Sequence, residues 1–152
     1  MEPELREQIL SILEAASYMT LATVRADGFP QATAVTFINE RLDIYFGSHA
    51  HSQKAANLAR NCKVSAAVTL PFSTWHEIKA LSMGGVVRRL DDKNEVARLS
   101  RLLLEKSPES AEFAGYAMTG VAFFLMRPNI ITLLDYSSGI GNSITLEVSA
   151  GD

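Results

Sequence analysis

Along most of this chain apolar and polar side chains alternate with a period of two, the mark of strands with one buried face; the period switches to 3.6 in only three stretches. Leu5, Ile9, Ile12 and Leu13 form an i, i+4, i+7, i+8 stripe with acidic residues in the first turn, which predicts an amphipathic helix over Pro3 to Ala16. From Tyr18 to Arg25, Thr20, Ala22 and Val24 alternate with Met19, Leu21 and Thr23, and Asp27-Gly28 supplies a turn into the next strand. Thr33 to Ile38 and Leu42 to Phe46, rich in β-branched and aromatic residues, flank Asn39-Glu40-Arg41 and predict a hairpin. Ala55 to Asn61 predicts a short helix with Ser52 as its N-cap and Asn61 as its stop.

The second half repeats the theme. Val64 to Leu70 is a strand ended by Pro71, and Phe72 to Glu77 is a loop holding the single tryptophan, Trp75. Ile78 to Leu90 is a long strand interrupted by Gly84-Gly85, where missing side chains permit a bulge, a bend or a close approach. Asp92 and Glu95 open a helix in a near capping-box arrangement; Val96, Leu99, Leu102 and Leu103 form its stripe, and Ser107-Pro108 ends it. Glu109 to Tyr116 is a connection. Val121 to Met126 and Ile130 to Leu134 then predict two strands around Arg127-Pro128-Asn129, their continuous apolarity implying burial on both faces and a side that packs on a second subunit. The pattern predicts a mainly β protein with flanking helices, in one domain over residues 1–152.

Composition and charge narrow the class. With 47% hydrophobic and 20% charged residues the chain is of ordinary globular composition. A net charge of -3 argues against nucleic-acid binding, which needs clustered Lys and Arg. There is no apolar run near eighteen residues, and Glu2, Glu4 and Glu7 stand where a basic leader would be, so the expected address is the cytoplasm, with no membrane partner. The lone Cys62 excludes an internal disulfide.

Candidate chemistry centres on Gly47 to Lys54. A helix beginning beside Lys54 with Ser52 at its cap offers amide groups, a positive dipole end, a hydroxyl and an ammonium to an anion; a plain serine cap with a surface lysine is the bland counterpart. His49-x-His51 supplies two of the three or four ligands a metal needs, with Cys62 or His76 to complete them, against the alternative of His51 near a phosphate or in solvent. Arg88-Arg89 offers charge to an anionic ligand or to water, and Trp75 offers a stacking face or a packing contact. No Ser-His-Asp or Cys-His order stands out, and no residue is assigned a catalytic role.

The hairpin, then Ser52-x-Lys54-x-x-Asn57-Leu58-x-x-Asn61 and a new strand from Val64, resembles the pyridoxamine 5'-phosphate oxidase-like family of FMN-binding split β-barrels. Asp27-Gly28-Phe29-Pro30 and Gly84-Gly85 resemble it too, and the similarity runs roughly from Leu13 to Asp135. The resemblance implies an antiparallel split barrel of six to seven strands. It implies an FMN phosphate held by Ser48, Ser52, Gln53 and Lys54 with His51 nearby, and an isoalloxazine edge along Thr33, Ala34, Val35 and Thr36. The oxidase branch carries further basic residues where this chain has Thr33 and Gln53, so its phosphate clamp is the stronger and its specific activity is not implied here. Asp135 to Gly141 resembles a C-terminal segment near the cofactor in some members.

The implied function is a homodimeric FMN flavoprotein, an oxidoreductase acting on a small-molecule substrate, with the cofactor between subunits. Three alternatives stay open on the same barrel: an F420-binding reductase, a haem-binding or haem-degrading protein using His49, His51 or His76, and a non-enzymatic flavin-binding module.

Overall fold

Two strands separated by a single residue lie at opposite ends of the sheet, and this fixes the architecture. The computed structural model describes residues 1–110 and 120–149. In it, β1 (Tyr18–Val24), β2 (Pro30–Thr36), β3 (Ile38–Glu40), β4 (Asp43–His49), β5 (Lys63–Thr69), β6 (Lys79–Arg89) and β7 (Val121–Asp135) form one antiparallel path in the order β2-β1-β5-β6-β7-β4-β3. β8 (Ser143–Glu147) pairs with the second half of β7. Only Phe37 joins β2 to β3, so the sheet must roll until its two edges meet, and the fully buried Phe37 side chain sits at that corner. Among the described residues no ladder closes the seam between β2 and β4, which makes the barrel split.

Among the described residues three α-helices cover it. α1 (Pro3–Ala15) buries Ile9, Ile12 and Leu13, as its stripe predicted, in the barrel core with Leu21, Phe37, Phe46, Met83 and Ile131. α2 (Gln53–Arg60) packs on β1 and β4. α3 (Lys93–Lys106), capped by Asp92 through the amides of Asn94 and Glu95, lays Leu99 into a second cluster with Ile38, Tyr45, Leu90, Phe123 and Leu125. Arg98 on its exposed side pairs with Glu40 and holds that carboxyl below the usual range.

α1 has no basic residue in its last turn. Lys106 of α3 substitutes, its Nζ donating to the Leu13 carbonyl at 2.9 Å and standing 4.4 Å over the Phe37 ring. Burial pushes this ammonium down from the ordinary lysine range. Lys106→Met keeps the apolar stem and deletes the donor; it is expected to cost about 1 kcal/mol, read from urea unfolding.

The structure departs from the sequence pattern in four places. The stretch 33–38 is not one strand of a hairpin: β2 belongs to β1 and β3 to β4, with Arg41 and Leu42 forming the tight turn and Arg41 in the left-handed region at φ 56. Residues 121–135 form one strand, not two. Pro128 is tolerated inside it because the β6 register shifts at Gly84/Gly85, so that Gly85 faces Pro128, Gly84 faces Ile130 and Asn129 is the extra residue. With β8 added, the described residues form eight strands where six to seven were expected. Finally, the two-sided burial of 121–126 needs no second subunit: Phe124 and Met126 point into the barrel, while Phe123 and Leu125 are covered by α3. Of the predicted connection Glu109 to Tyr116, residues 111–116 lie outside the described residues. Among the described residues no helix is long and apolar enough to cross a membrane.

Candidate anion and cofactor site

β4 ends and α2 begins within four residues, which brings the hydroxyls of Ser48 and Ser52 to 3.0 Å. Ser52 has extended backbone, φ -71 and ψ 157, and its Oγ accepts from the Ala55 amide at 3.1 Å, the geometry of a serine N-cap. Ser52 N also donates to the His49 carbonyl at 3.0 Å, tightening the turn. Gln53 and Lys54 occupy the first turn of the helix.

Lys54 is the anomaly. It is half-buried, burial pushes its ammonium below the usual range, and among the described residues it has no hydrogen bond or ion pair. The first turn of α2 also holds no acidic residue. A helix start is the positive end of the dipole and stabilises acidic side chains, so an uncompensated lysine there is electrostatically unfavourable until an anion arrives.

Behind the cradle, Asn57 is 1% exposed and satisfies three partners. Its Nδ2 donates to Thr23 Oγ1 at 2.9 Å and to Gln31 Oε1 at 3.0 Å, and its Oδ1 accepts from Gln53 Nε2 at 2.8 Å. This network ties α2 to β1 and β2. Gln53, expected beside the phosphate, donates one of its two side-chain N–H groups to Asn57 one turn on in the same helix. Thr23 and Gln31 were not singled out from sequence; the available signal was a polar Thr23 on the parity of buried Met19 and Leu21.

The other expected site residues lie on β2, an edge of the sheet path, whose free side presents alternate backbone N–H and C=O groups. Thr33 and Val35 share the interior side with Leu21 and Met19, their ladder partners, while Ala34 and Thr36 face outward. Thr33 Oγ1 is shielded from solvent and lacks a hydrogen-bond partner. The Gln31–Asn57 bond thus connects the expected ring edge to the expected phosphate cradle.

His49 and His51 are both exposed, ring centroids 5.8 Å apart, and His49 Nδ1 accepts from the His51 amide at 3.2 Å. Among the described residues no group of three or more His, Cys, Asp or Glu side chains is placed to hold a metal, so the histidine pair is not completed by Cys62 or His76. Trp75 is 65% exposed on a short 3-10 turn.

The fold is a split barrel in which a serine- and lysine-bearing helix start accompanies a free strand edge. The sequence profile of pyridoxamine 5'-phosphate oxidase matches residues 5–134, and the chain belongs to that family. No curated protein matches its sequence. Similar solved structures include a heme-binding protein from Mycobacterium smegmatis, with TM-score 0.79, 19% identity, and coverage of 97% of this chain and 59% of that one. Campylobacter jejuni ChuZ has TM-score 0.80 at 10% identity, over 97% of this chain and 61% of that one. General Stress Protein 26 from Bacillus anthracis has TM-score 0.70 at 18% identity, over 95% and 99%. The chain thus spans about three fifths of the first two proteins, and the likeness to all three is one of fold.

Proposed function

We propose that the protein is an FMN-binding flavoprotein that works as a homodimer and serves as an oxidoreductase on a small-molecule substrate. The observation that carries this reading is Lys54, half-buried and without a partner at an acid-free helix start. A phosphate there would receive the exposed α2 amides, the ammonium and the Ser48 and Ser52 hydroxyls. Bound flavin would supply the redox chemistry. The chain's own part is to hold the phosphate and to present backbone groups of Thr33 to Thr36 to the ring edge.

The outward sheet face supports the homodimer. Two adjacent rows cross five strands without a charged side chain: Ala32, Ala22, Ser65, Gly84 and Ile130, then Ala34, Thr20, Ala67, Ser82 and Thr132. Most of these residues are exposed, and an uncharged surface of this extent is what a self-complementary interface requires. Ala34 lies both in this face and in the expected ring edge, which favours a cofactor at the subunit boundary.

The test is titration of ligand-free protein with FMN and with riboflavin, which lacks the phosphate. FMN is expected to bind at least about tenfold tighter, and Lys54→Ala to remove most of that margin, since charge-assisted hydrogen bonds are each worth about 1.5–3 kcal/mol. Equal affinity for the two flavins would remove the phosphate role. A Soret band on adding haem, with neither flavin bound, would replace this reading with the haem alternative.

A further inference from the structure

β2, which bears the expected ring edge, and its ladder partner β1 hold one titratable side chain between them, Tyr18. It pairs with Thr36, the last residue of that edge, and partner Cα atoms across an antiparallel ladder stand roughly 4.5–5.5 Å apart. Tyr18 and Thr36 fall on the outward parity with Thr20 and Ala34, at the border of the uncharged face. The phenol is 52% exposed there, beside a floor of alanine, serine, threonine and glycine that offers no acid or base.

The hydroxyl is already oriented. It donates to Glu109 Oε1 at 3.1 Å, and the carboxylate holds the phenol protonated above the usual tyrosine range. Glu109 has no other hydrogen bond and no cation among the described residues. Lys106, the cation before it in the chain, is committed to the Leu13 carbonyl, and Glu14 of α1 stands near that lysine. A phenol whose proton points at a carboxylate keeps its oxygen lone pairs for a ligand donor, and the carboxylate is a ready sink for the proton such a donor gives up.

We propose that Tyr18 is the proton-accepting catalytic residue at this edge, relaying through Glu109 as a substrate is oxidised with loss of a proton from oxygen or nitrogen. The substrate carbon gives a hydride to bound FMN, which is thereby reduced by two electrons, and the bond between the neighbouring heteroatom and its hydrogen breaks. That proton passes to the Tyr18 oxygen, the Tyr18 proton passes to Glu109, and a double bond forms between carbon and heteroatom. The assignment rests on the flavin reading and adds the direction of the reaction to it, because a carboxylate without a cation takes up protons at neutral pH rather than supplying them.

Anaerobic bleaching of bound FMN by a panel of amines and alcohols headed by benzylamine and benzyl alcohol tests it, on wild type, Tyr18→Phe and Glu109→Gln. Phenylalanine keeps the ring and deletes the oxygen, so FMN affinity is expected within about threefold of wild type. At least one donor should bleach wild type, Tyr18→Phe should slow that bleaching about 100-fold or more, and Glu109→Gln should lose the fall in rate that acid causes in wild type. A second readout needs no turnover: in ultraviolet difference titration of the tyrosines, Glu109→Gln should bring one phenol down toward the usual range, and bound FMN should move the midpoint of that same phenol. Bleaching of Tyr18→Phe at the wild-type rate, a Tyr18 titration indifferent to FMN, or no bleaching of wild type by any donor overturns the relay and leaves the phosphate cradle standing. Failure of wild type to bind FMN overturns the flavin reading and the relay with it.

Discussion

Asn57→Ala is expected to lower the unfolding free energy by about 3 kcal/mol, the cost of leaving buried polar groups unsatisfied. Thr23, 2% exposed, and the amides of Gln31 and Gln53 all lose their shared partner, and a methyl group cannot replace it. For a chain of this size the melting temperature should fall by roughly 6–12 °C. The same side chain sets where α2 stands relative to β2, so FMN affinity should drop as well when measured well below the melting point. A variant that melts within about 2 °C of wild type would show that water replaces the amide at little cost. One that loses stability but keeps full flavin affinity would separate the network from the site.

Gly85→Ala should be of comparable size, about 3 kcal/mol at the upper end of overpacking penalties. An added Cβ at Gly85 would collide with the Arg127 carbonyl oxygen, a backbone atom of the paired strand. Relief requires β6 and β7 to separate at the bulge that accommodates Pro128. Gly84→Ala is the internal control. Its Cβ would meet Ile130 Cγ2 at 2.9 Å, a side-chain atom rather than backbone, so the loss should be smaller, about 1–2 kcal/mol. Urea unfolding of both variants with unchanged m values measures the difference. Equal losses for the two would mean that the bulge adapts, and would remove the packing reason for the glycine pair.

The parts of the site that lie close in sequence were legible without the structure. Ser48, Ser52 and Lys54 fall within one strand end, one turn and one helix start, and local capping rules suffice to bring them together. Gln53 stands at the same helix start and also bonds Asn57, whose other partners lie 26 and 34 residues distant. Nothing in a periodic pattern reports such a contact. The glycine pair was legible as a bulge or close approach, yet its purpose depended on Pro128 lying opposite, a pairing of strands more than forty residues apart.

By itself the sequence determined which side of each element is apolar and where α2 and α3 are capped, because these follow from side-chain spacing and local hydrogen bonds. The tertiary structure decided that Phe37 divides one predicted strand into the two edges of a rolled sheet, that 121–135 is a single strand covered by α3, and that Asn57 locks the helix start to β1 and β2. Alternation tells a residue which face it occupies. Ladder partners, and the closure of a sheet on itself, are settled only by packing between distant segments.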